Sequence, residues 1–456
     1  MKITSTNPSR NYEEIGSVEL STAEDVQAKI TQAYKAKSSW RELGIPGRTK
    51  LLQKVASEIE QSKVPLAKLI AQEMGMPITN ALSEVDDALY YWNSYLETAE
   101  QYLKPETTLE TEAELHQVVR EPYGVVAAIA PWNFPISNFV WTCGQNLAAG
   151  NVIVFKHSEE TPLCGKLIEN IVNKVLPEGV FSEVYGDGSV GKMLVEQNVN
   201  FICFTGSTAT GIKINESAAR RFIPTSMELG GSAPGIILED CNVAGIAETI
   251  YSNRFSNCGQ MCDALKRLIV HESKLEQVKN ELLKILATKK VGDAQDPKTD
   301  IGPLVAKRQL ELLEEQVTDA VTKGANILTG GKSPDGLLGA YYEPTLIENV
   351  TPDMRIWQEE VFGPVLPIIT SKAVDEAIDL ANNTTYGLGA YVFTQDKQKF
   401  MDVARQLESG MVSQNNLSYV NSCNFFGGYK MSGGGREHAK FGFEEVTQTK
   451  VIASEK

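Results

Sequence analysis

The sequence predicts an α/β fold, built as two consecutive open parallel-sheet domains together with a small β arm. Short apolar runs alternate with helical segments from residue 123 onward, which is the order expected of βαβ units. These runs are continuously apolar, a pattern typical of strands that are buried on both faces of a parallel sheet. At 456 residues, the chain is long enough for two or three domains. We therefore expect two Rossmann-like domains in succession.

Residues 1–103 are predicted to be mostly helical. Ser21-Thr22-Ala23-Glu24 fits a capping box, and the apolar residues that follow it recur at helical spacing as far as Trp40. A second amphipathic helix is expected over Leu51–Ile59 and a third over Ala88–Tyr102. These helices precede the first strand of the predicted parallel sheets.

The predicted strands form two groups, one before and one after Glu228. The first group is Gly124–Ala130, Asn151–Phe155, Phe181–Tyr185 and Phe201–Thr205. The second group is Pro234–Leu238, Arg267–Val270, Val365–Ile369, Gly389–Phe393 and Met411–Gln414. A helix is expected near Ala306–Thr322. The stretch Thr107–Arg120 fits neither group, and we expect it to form a hairpin arm that pairs with Gln448–Ala453.

Charge and hydropathy exclude two classes of partner. The net charge of −15 repels phosphate backbones, so nucleic acid is not expected to bind. The first residues contain no apolar signal segment, and the longest apolar stretch, Val125–Pro131, is too short to cross a bilayer. These features predict a cytoplasmic protein that has no membrane partner.

Cysteine and histidine usage argues against disulfides and metal sites. The seven cysteines form no paired framework and no C-x-x-C motif, which suits a reducing compartment. The four histidines are scattered along the chain, so we expect no protein metal site.

Two glycine-rich turns could approach a phosphate. Gly186-Asp187-Gly188-Ser189-Val190-Gly191 matches G-x-G-x-x-G, but no acidic residue lies near the position at which a dinucleotide fingerprint holds the ribose. The second turn, Gly206-Ser207-Thr208-Ala209-Thr210-Gly211, directly follows the predicted strand Phe201–Thr205. Small residues there would allow backbone amides at a helix start to reach a phosphate, although an ordinary tight turn is the alternative. Neither segment is a P-loop.

Cys262 and Glu228 form a plausible catalytic pair. Cys262 ends the segment Asn257-Cys258-Gly259-Gln260-Met261-Cys262, and Glu228 begins Glu228-Leu229-Gly230-Gly231. A cysteine thiolate is a strong nucleophile and a carboxylate can activate water, so a thioester formed at one could be hydrolysed by the other. A buried structural cysteine is the alternative for either thiol, and we expect it for Cys258.

Several motifs, spread over nearly the whole chain, resemble those of the aldehyde dehydrogenase superfamily and occur in the same order. They are Pro131-Trp132-Asn133-Phe134-Pro135, Phe155-Lys156, Phe204-Thr205-Gly206-Ser207, Glu228-Leu229-Gly230-Gly231, Gly259-Gln260-Met261-Cys262, Glu360-Val361-Phe362-Gly363-Pro364 and Phe426-Gly427-Gly428-Tyr429-Lys430-Met431-Ser432-Gly433. Within the superfamily, the chain is most similar to the short bacterial branch that includes succinate-semialdehyde dehydrogenases.

The resemblance implies three catalytic residues. Cys262 would attack the aldehyde carbonyl, and the side-chain amide of Asn133 would stabilise the oxyanion beside the backbone N–H of Cys262. Hydride transfer to a nicotinamide cofactor would leave a thioester, which Glu228 would hydrolyse by activating water.

The resemblance also implies a set of cofactor-binding residues: Trp132, Lys156, Glu159, Gly206, Ser207, Glu360 and Phe362. Lys156 and Glu360 would bind ribose hydroxyls, and Gly206 and Ser207 would approach the pyrophosphate. A carboxylate at Glu159 accepts hydrogen bonds from a free 2′-hydroxyl and repels a 2′-phosphate, which favours NAD over NADP. His157 stands where relatives commonly have proline.

The chain departs from the succinate-semialdehyde branch at the substrate carboxylate. That branch uses arginines at the positions of Trp141 and Ser256, and a buried carboxylate without a cationic partner is costly. Trp141 and Phe426 instead suggest a channel for an apolar or aromatic aldehyde, with structural packing as the alternative for Trp141. Asp263, directly after Cys262, would raise the pKa of the thiol, contact a polar group of the substrate or point away from the site.

The resemblance divides the chain into three parts. Residues 1–103 and 123–227 would form the NAD(P)-binding domain and residues 228–425 the catalytic domain. Residues 104–122 and 426–456 would form an oligomerisation arm and C-terminal segment, which implies a homodimer or homotetramer. The alternative functions are a CoA-acylating aldehyde dehydrogenase, which Glu228 argues against, and a non-catalytic binding protein on the same fold.

Overall fold

The computed structural model describes residues 1–456 and opens with a hairpin that precedes four helices. These elements are β1 (Lys2–Asn7), β2 (Glu13–Glu19), α1 (Ala23–Glu42), α2 (Gly44–Gln61), α3 (Lys63–Met74) and α4 (Ile78–Leu103). The prediction of helices alone in this region is therefore wrong at its start. The buried positions of β1 include Ser5 and Asn7, so the strand has no apolar alternation to reveal it. The capping box is also shifted by one residue, because Thr22 and Asp25 cap each other.

An arm and a first α/β unit follow the helices. They comprise β3 (Glu106–Glu110), β4 (Glu114–Pro122), β5 (Val125–Ile129), α5 (Pro135–Ala149), β6 (Val152–Lys156), α6 (Pro162–Asn173), β7 (Phe181–Glu183), α7 (Gly188–Val195), β8 (Phe201–Thr205), α8 (Thr208–Ala219) and β9 (Thr225–Glu228).

The second unit and the C-terminal segment complete the chain. The second unit comprises β10 (Ala233–Ile237), α9 (Val243–Phe255), β11 (Leu265–His271), α10 (Leu275–Leu286), α11 (Lys307–Thr322), β12 (Asn326–Thr329), β13 (Thr345–Glu348), α12 (Arg355–Gln358), β14 (Val365–Ser371), α13 (Val374–Asn382), β15 (Tyr386–Gly387), β16 (Gly389–Phe393), α14 (Lys397–Ala404) and β17 (Met411–Gln414). The segment comprises β18 (Tyr429–Lys430), β19 (Gly433–Gly434), α15 (Ala439–Glu445) and β20 (Thr447–Glu455).

Two open sheets form the centre of the molecule. The six-stranded sheet has the order β19-β9-β8-β5-β6-β7, and the seven-stranded sheet has the order β12-β13-β14-β11-β10-β16-β17. Neighbouring strands are parallel except at one edge of each sheet, where β19 pairs with β9 and β12 pairs with β13 in antiparallel fashion. The predicted fold class is therefore confirmed, and each sheet is surrounded by its own buried apolar core.

The arm is a three-stranded antiparallel sheet in the order β20-β4-β3. β4 pairs with β20 along its whole length, from Glu114 opposite Glu455 to Pro122 opposite Thr447. The predicted pairing of the hairpin with the C-terminus is thus confirmed. No helix in the chain is long and apolar enough to cross a membrane.

The order of strands creates a crevice in the six-stranded sheet. β5 and β8 are neighbours in this sheet. The connection after β5 leads to β6 on one side, and the connection after β8 leads to β9 on the other side, so the two connections leave the carboxyl edge in opposite directions. The loop after β5 carries Trp132 and Asn133, and the loop after β8 carries Gly206 and Ser207. Ligands of open α/β sheets bind at such switch points.

Candidate active site

One cavity of about 820 Å³ brings together most of the predicted site residues. It lies between the carboxyl edge of the six-stranded sheet and the amino ends of β10 and β11. The predicted residues that line it are Trp132, Asn133, Trp141, Gly206, Ser207, Ser256, Cys262, Glu360, Phe362 and Phe426. Glu228, Lys156 and Glu159 lie outside this lining.

The loop before Cys262 is held in an unusual backbone conformation. Asn257 and Cys258 have φ values of 50° and 57°, and Gly259 follows with φ of 72°. Left-handed backbone costs on the order of 1–3 kcal/mol for a residue with a side chain, so the surrounding contacts must enforce this turn. A Cβ at Gly259 would lie 2.4 Å from the carbonyl oxygen of Gly363, so only glycine fits there.

Asn133 is joined to this loop by two hydrogen bonds. Its side-chain Nδ2 donates to the carbonyl oxygen of Gln260 at 3.0 Å, and its own carbonyl oxygen accepts from Nδ2 of Asn257 at 2.8 Å. Gln260 is fully buried and is itself bonded to Asn257 and Val305. The predicted oxyanion donor is therefore fixed relative to the backbone that leads to Cys262.

The Cys262 side chain is half-buried, and its electrostatic surroundings oppose ionisation. Burial raises the pKa of the thiol well above its usual value, and the neighbouring carboxylate of Asp263 raises it further. The cation of Lys266 acts in the opposite direction. Lys266 is therefore the group in this loop that favours the thiolate.

Lys266 joins three parts of the site. Its fully buried ammonium donates to the carbonyl oxygens of Gly231 at 2.7 Å and Cys262 at 2.9 Å, and to Oε1 of Glu360. One cation thus connects the Glu228–Gly231 loop, the nucleophile loop and the predicted ribose-binding carboxylate. Charge-assisted hydrogen bonds of this kind are stronger than neutral ones.

Glu228 is the last residue of β9 and is buried. Neither of its carboxylate oxygens accepts a hydrogen bond from the protein. Burial raises its pKa well above the usual value, the carboxylate of Glu437 raises it further, and Arg436 lowers it. Glu228 is also close enough to Cys262 to raise the pKa of the thiol. A buried carboxylate with an elevated pKa and free oxygens is suited to exchange a proton with water.

The predicted cofactor residues surround the switch point of the six-stranded sheet. The ring of Trp132 meets that of Phe362 edge-on, with centroids 5.6 Å apart. Ser207 is the N-cap of α8 and lines the cavity beside Gly206, so this helix begins at the edge of the cavity. Glu159 is half-exposed, with Oε2 3.9 Å from Nζ of Lys156.

These residues fit the ribose and pyrophosphate of a dinucleotide. The buried ammonium of Lys156 donates one hydrogen bond to the carbonyl oxygen of His157 at 3.1 Å. Its other N–H groups remain available to a ligand. Glu360 Oε1 is held by Lys266 and by the amide of Gly231, whereas Oε2 accepts no hydrogen bond from the protein. A Cβ at Gly230 would lie 2.3 Å from Oε2 of Glu360. Any larger residue there would therefore clash with the carboxylate in its present position.

The first glycine-rich turn does not line the cavity. Asp187 caps α7 by accepting a hydrogen bond from the amide of Ser189 at 2.8 Å. A carboxylate at that helix start takes the place that a phosphate oxygen would need.

The part of the cavity beyond Cys262 is aromatic and acidic. Trp141 lies 5.2 Å from Phe426 and 5.2 Å from Tyr91 between ring centroids. Asp263 lines this region, and no lysine, arginine or histidine lines the cavity anywhere. The absence of arginines at Trp141 and Ser256 is therefore not compensated by another cation.

Sequence reasoning missed several residues that support the site. Lys266 could have been noticed because Lys266-Arg267 interrupts an otherwise apolar buried strand. Arg254 has a similar signal near the end of α9, where it donates to the carbonyl oxygens of Val361 at 3.1 Å and Val365 at 2.8 Å. Glu437 carries no local signal, because only the return of the C-terminal segment brings it near Glu228.

Comparison with known proteins agrees with this geometry. The chain matches the Aldehyde dehydrogenase family over residues 1–452. The chain belongs to the aldehyde dehydrogenase family. It is 36% identical over 452 residues to a chloroplastic aminoaldehyde dehydrogenase of Arabidopsis thaliana, covering 96% of this chain and 90% of the relative.

Two solved structures share the fold of this aldehyde dehydrogenase. One is the NAD+ complex of an aldehyde dehydrogenase from Bacillus cereus, with a TM-score of 0.96 and 32% identity, covering 100% of this chain and 93% of that one. The other is an NADP-dependent enzyme of E. coli, with a TM-score of 0.96 and 32% identity, covering 100% and 95%. The predicted family and enzyme class are confirmed, whereas the succinate-semialdehyde branch stays a prediction.

Proposed function

We propose that this aldehyde dehydrogenase oxidises an aldehyde to a carboxylic acid with NAD or NADP, through a covalent intermediate on Cys262. The observation that carries the proposal is the opening of Cys262 into the same cavity as Asn133, with Glu228 close enough to affect the thiol. The names of the relatives, which include an NAD+ complex and an NADP-dependent enzyme, support both cofactors.

The first step forms a bond between Sγ of Cys262 and the aldehyde carbon. The carbonyl oxygen becomes an oxyanion, which the amide of Asn133 and the backbone N–H of Cys262 stabilise. One such donor typically lowers the barrier by ~3–4 kcal/mol. The fixed position of Asn133 matters because a donor that needs no reorientation stabilises the transition state most effectively. Lys266 supports this step by lowering the pKa of the thiol.

A nicotinamide bound in this cavity would supply the hydride acceptor, so that the tetrahedral carbon on Cys262 could lose a hydride and become a thioester. Lys156 and Oε2 of Glu360 would be available to bind ribose hydroxyls, and backbone amides at the start of α8 would bind the pyrophosphate. The carboxylate of Glu159 near Lys156 favours NAD over NADP, because it would repel a 2′-phosphate.

Glu228 then removes a proton from water, which attacks the thioester and releases the acid and the free thiol. Its oxygens accept no hydrogen bond from the protein, so both could accept one from a water molecule that enters the site. An acceptor thiol such as CoA would not need this base. Strict dependence of NADH formation on added CoA would therefore contradict hydrolysis by Glu228.

Steady-state kinetics on a panel of aldehydes, with NAD and with NADP, tests the proposed function. Cys262→Ala should abolish oxidation but retain cofactor binding, measured by quenching of protein fluorescence. Cys423→Ala is the matched control, because Cys423 is an exposed free cysteine outside the cavity. Normal turnover by Cys262→Ala would contradict the mechanism.

We also propose that the chain is divided into the functional domains that the resemblance predicts. Residues 1–103 and 123–227, with the six-stranded sheet, would bind the cofactor, and residues 228–425 would supply the nucleophile. The arm would join subunits into a homodimer or homotetramer. Leu109, Val451 and Ile452 support this role, because they are apolar and exposed on the arm. Light scattering on the intact protein would give the mass of the assembly, and a monomer would contradict this part.

The predicted cytoplasmic location is a further proposal. All seven cysteines are free thiols, which suits a reducing compartment. Fractionation of cells that express the native protein would test it, and recovery outside the cytoplasm would contradict it.

A further inference from the structure

The cavity continues past Cys262 into a region that we call the distal pocket, defined by Asp87, Tyr91, Trp141, Asp263 and Phe426. An aldehyde whose carbonyl carbon meets Cys262 must place the rest of its structure in the cavity. The side chains of the distal pocket therefore decide which aldehydes fit.

Acidic groups border the distal pocket from two directions. Asp87 lines it from α4, where its side chain is exposed, and Asp263 lines it directly after Cys262. Burial and Tyr90 raise the pKa of Tyr91, and both carboxylates raise it further, so Asp87 and Asp263 act on the same hydroxyl. The two aspartates thus face a common space.

A third carboxylic acid borders the cavity with one unpartnered oxygen. Glu84 is buried, and its Oε1 accepts from the amides of Ile136 and Ser137 at 3.1 Å each, but its Oε2 has no partner. An unpaired buried acceptor is costly unless a ligand or water satisfies it.

No protein cation balances these carboxylates. The cavity is lined by no lysine, arginine or histidine. The cation of Lys266 lowers the pKa of Asp263, but its three donors are directed at Gly231, Cys262 and Glu360. A carboxylate on the substrate would be buried without a partner, whereas a cation on the substrate would supply the missing charge.

Aromatic rings form the remaining wall. Tyr91, Trp141 and Phe426 lie in a row, with adjacent centroids 5.2 Å apart. A cation near the face of an aromatic ring is attracted by about 0.5–2 kcal/mol, depending on its desolvation. Aromatic rings combined with carboxylates are suited to alkylammonium groups, which present both charge and apolar surface.

We propose that the distal pocket binds a positively charged ammonium group, so that the substrate is an amino- or alkylammonio-aldehyde. Asp87 and Asp263 provide the opposite charge, and Tyr91, Trp141 and Phe426 contact the alkyl surface. This inference rests on the proposed oxidation of an aldehyde at Cys262.

Two aldehydes of the same shape test the proposal. 4-(Trimethylammonio)butanal and 5,5-dimethylhexanal differ in the charged nitrogen, which the second replaces with carbon. We expect kcat/KM to be at least about tenfold higher for the cation, as opposite charges and cation–π contact predict. Succinic semialdehyde, which carries a carboxylate, should be the poorest of the three.

Variants identify the residues that recognise the charge. Asp87→Asn should lower the ratio of kcat/KM between the cation and its neutral isostere by about threefold or more. Asp86→Asn is the matched control, because Asp86 is the preceding residue on α4, pairs with Lys63 and does not line the cavity. It should leave the ratio unchanged.

The outcomes separate this inference from the proposed function. Oxidation of the neutral or anionic aldehyde as well as the cation, or an unchanged ratio in Asp87→Asn, would overturn the ammonium pocket and leave aldehyde oxidation standing. Failure to oxidise any aldehyde of the wider panel with either cofactor would instead overturn the proposed function, and the inference with it.

Discussion

The ammonium of Lys266 lies 2.9 Å from the carbonyl oxygen of Cys262 and is hydrogen-bonded to the carboxylate of Glu360 as well. A single buried cation therefore connects the proposed nucleophile to the residue proposed to hold the ribose. A substitution that removes this cation therefore changes the charge next to both residues. Lys266 is a positioning residue in the proposed mechanism, because it acts through Cys262 and Glu360.

Lys266→Met should make Cys262 less reactive at neutral pH. Lys266 lowers the pKa of the thiol, so its removal should raise that pKa and move the midpoint of alkylation by iodoacetamide to higher pH. One unit of pKa corresponds to about a tenfold change in thiolate at a given pH below the midpoint. Lys192→Met, which removes an exposed lysine, is the control. A midpoint that stays in place or moves to lower pH would contradict this role.

Glu437→Gln should move the pH profile of thioester hydrolysis to lower pH. Burial is the main reason for the elevated pKa of Glu228, and the carboxylate of Glu437 is the next. Burial raises the pKa of Glu437 itself to about 8, so its negative charge is present above that pH; removing this charge lowers the pKa of Glu228 and makes the base form available at lower pH.

Single-turnover measurement of acid release across pH checks this shift. Glu444→Gln is the matched control, because Glu444 pairs with Arg120 on the arm. A profile that moves to higher pH would show that Glu437 does not act on the hydrolytic base in this way.

Glu159→Gln should weaken the preference for NAD. Its carboxylate lies 3.9 Å from the ammonium of Lys156 and would repel a 2′-phosphate. We expect the ratio of kcat/KM for NADP to that for NAD to rise several-fold. This rise corresponds to a change of about 1 kcal/mol in the difference between the binding free energies of the two cofactors. Glu160→Gln is the control, because the neighbouring Glu160 pairs with Arg308. An unchanged ratio would remove Glu159 from cofactor selection.

His438→Asn should reduce the loss of stability in mild acid. Burial lowers the pKa of His438 to about 3, whereas an unfolded histidine titrates near pH ~6.5. Between these values the unfolded chain binds the extra proton, so stability falls as pH decreases.

From pH 7 to pH 5, this contribution amounts to about 2 kcal/mol in the free energy of unfolding. The decrease measured by urea denaturation should be smaller by that amount in His438→Asn than in the native protein. His271→Asn, at a partly exposed histidine, should keep the native slope. An equal decrease in the native protein and in His438→Asn would contradict the buried neutral histidine.

Strands that are mainly apolar runs were predictable from the sequence, whereas β1, whose buried positions are polar, was not. The predicted bounds of β8 and β16 are those of the structure, because each is a largely apolar run between turns, and the predicted bounds of β17 also match although Ser413 is polar and buried. β1 was missed because Ser5 and Asn7 are buried there, and the hydroxyl of Ser5 donates to Glu73 at 2.6 Å. The spacing of apolar residues in a sequence indicates which apolar side chains are buried, but it gives no indication of buried polar side chains.

The same limit applies to the site. Cys262 and Asn133 were identified from motifs, and the structure brings both to one cavity. Glu437 approaches Glu228 through long-range packing, because β19 adds to the edge of the six-stranded sheet beside β9. Asp87 and Tyr91 lie one helical turn apart on α4, but the sequence does not reveal that this face borders the cavity.

The central claim is that a thioester forms on Cys262 and is hydrolysed by Glu228. Glu228→Gln, incubated with an aldehyde that the native enzyme oxidises and with NAD, should form about one equivalent of NADH and then stall. Intact mass spectrometry and peptide mapping should place the acyl group on the peptide that contains Cys262. Full turnover without an adduct, or an acyl group on Cys258 or Cys423 instead, would contradict the account.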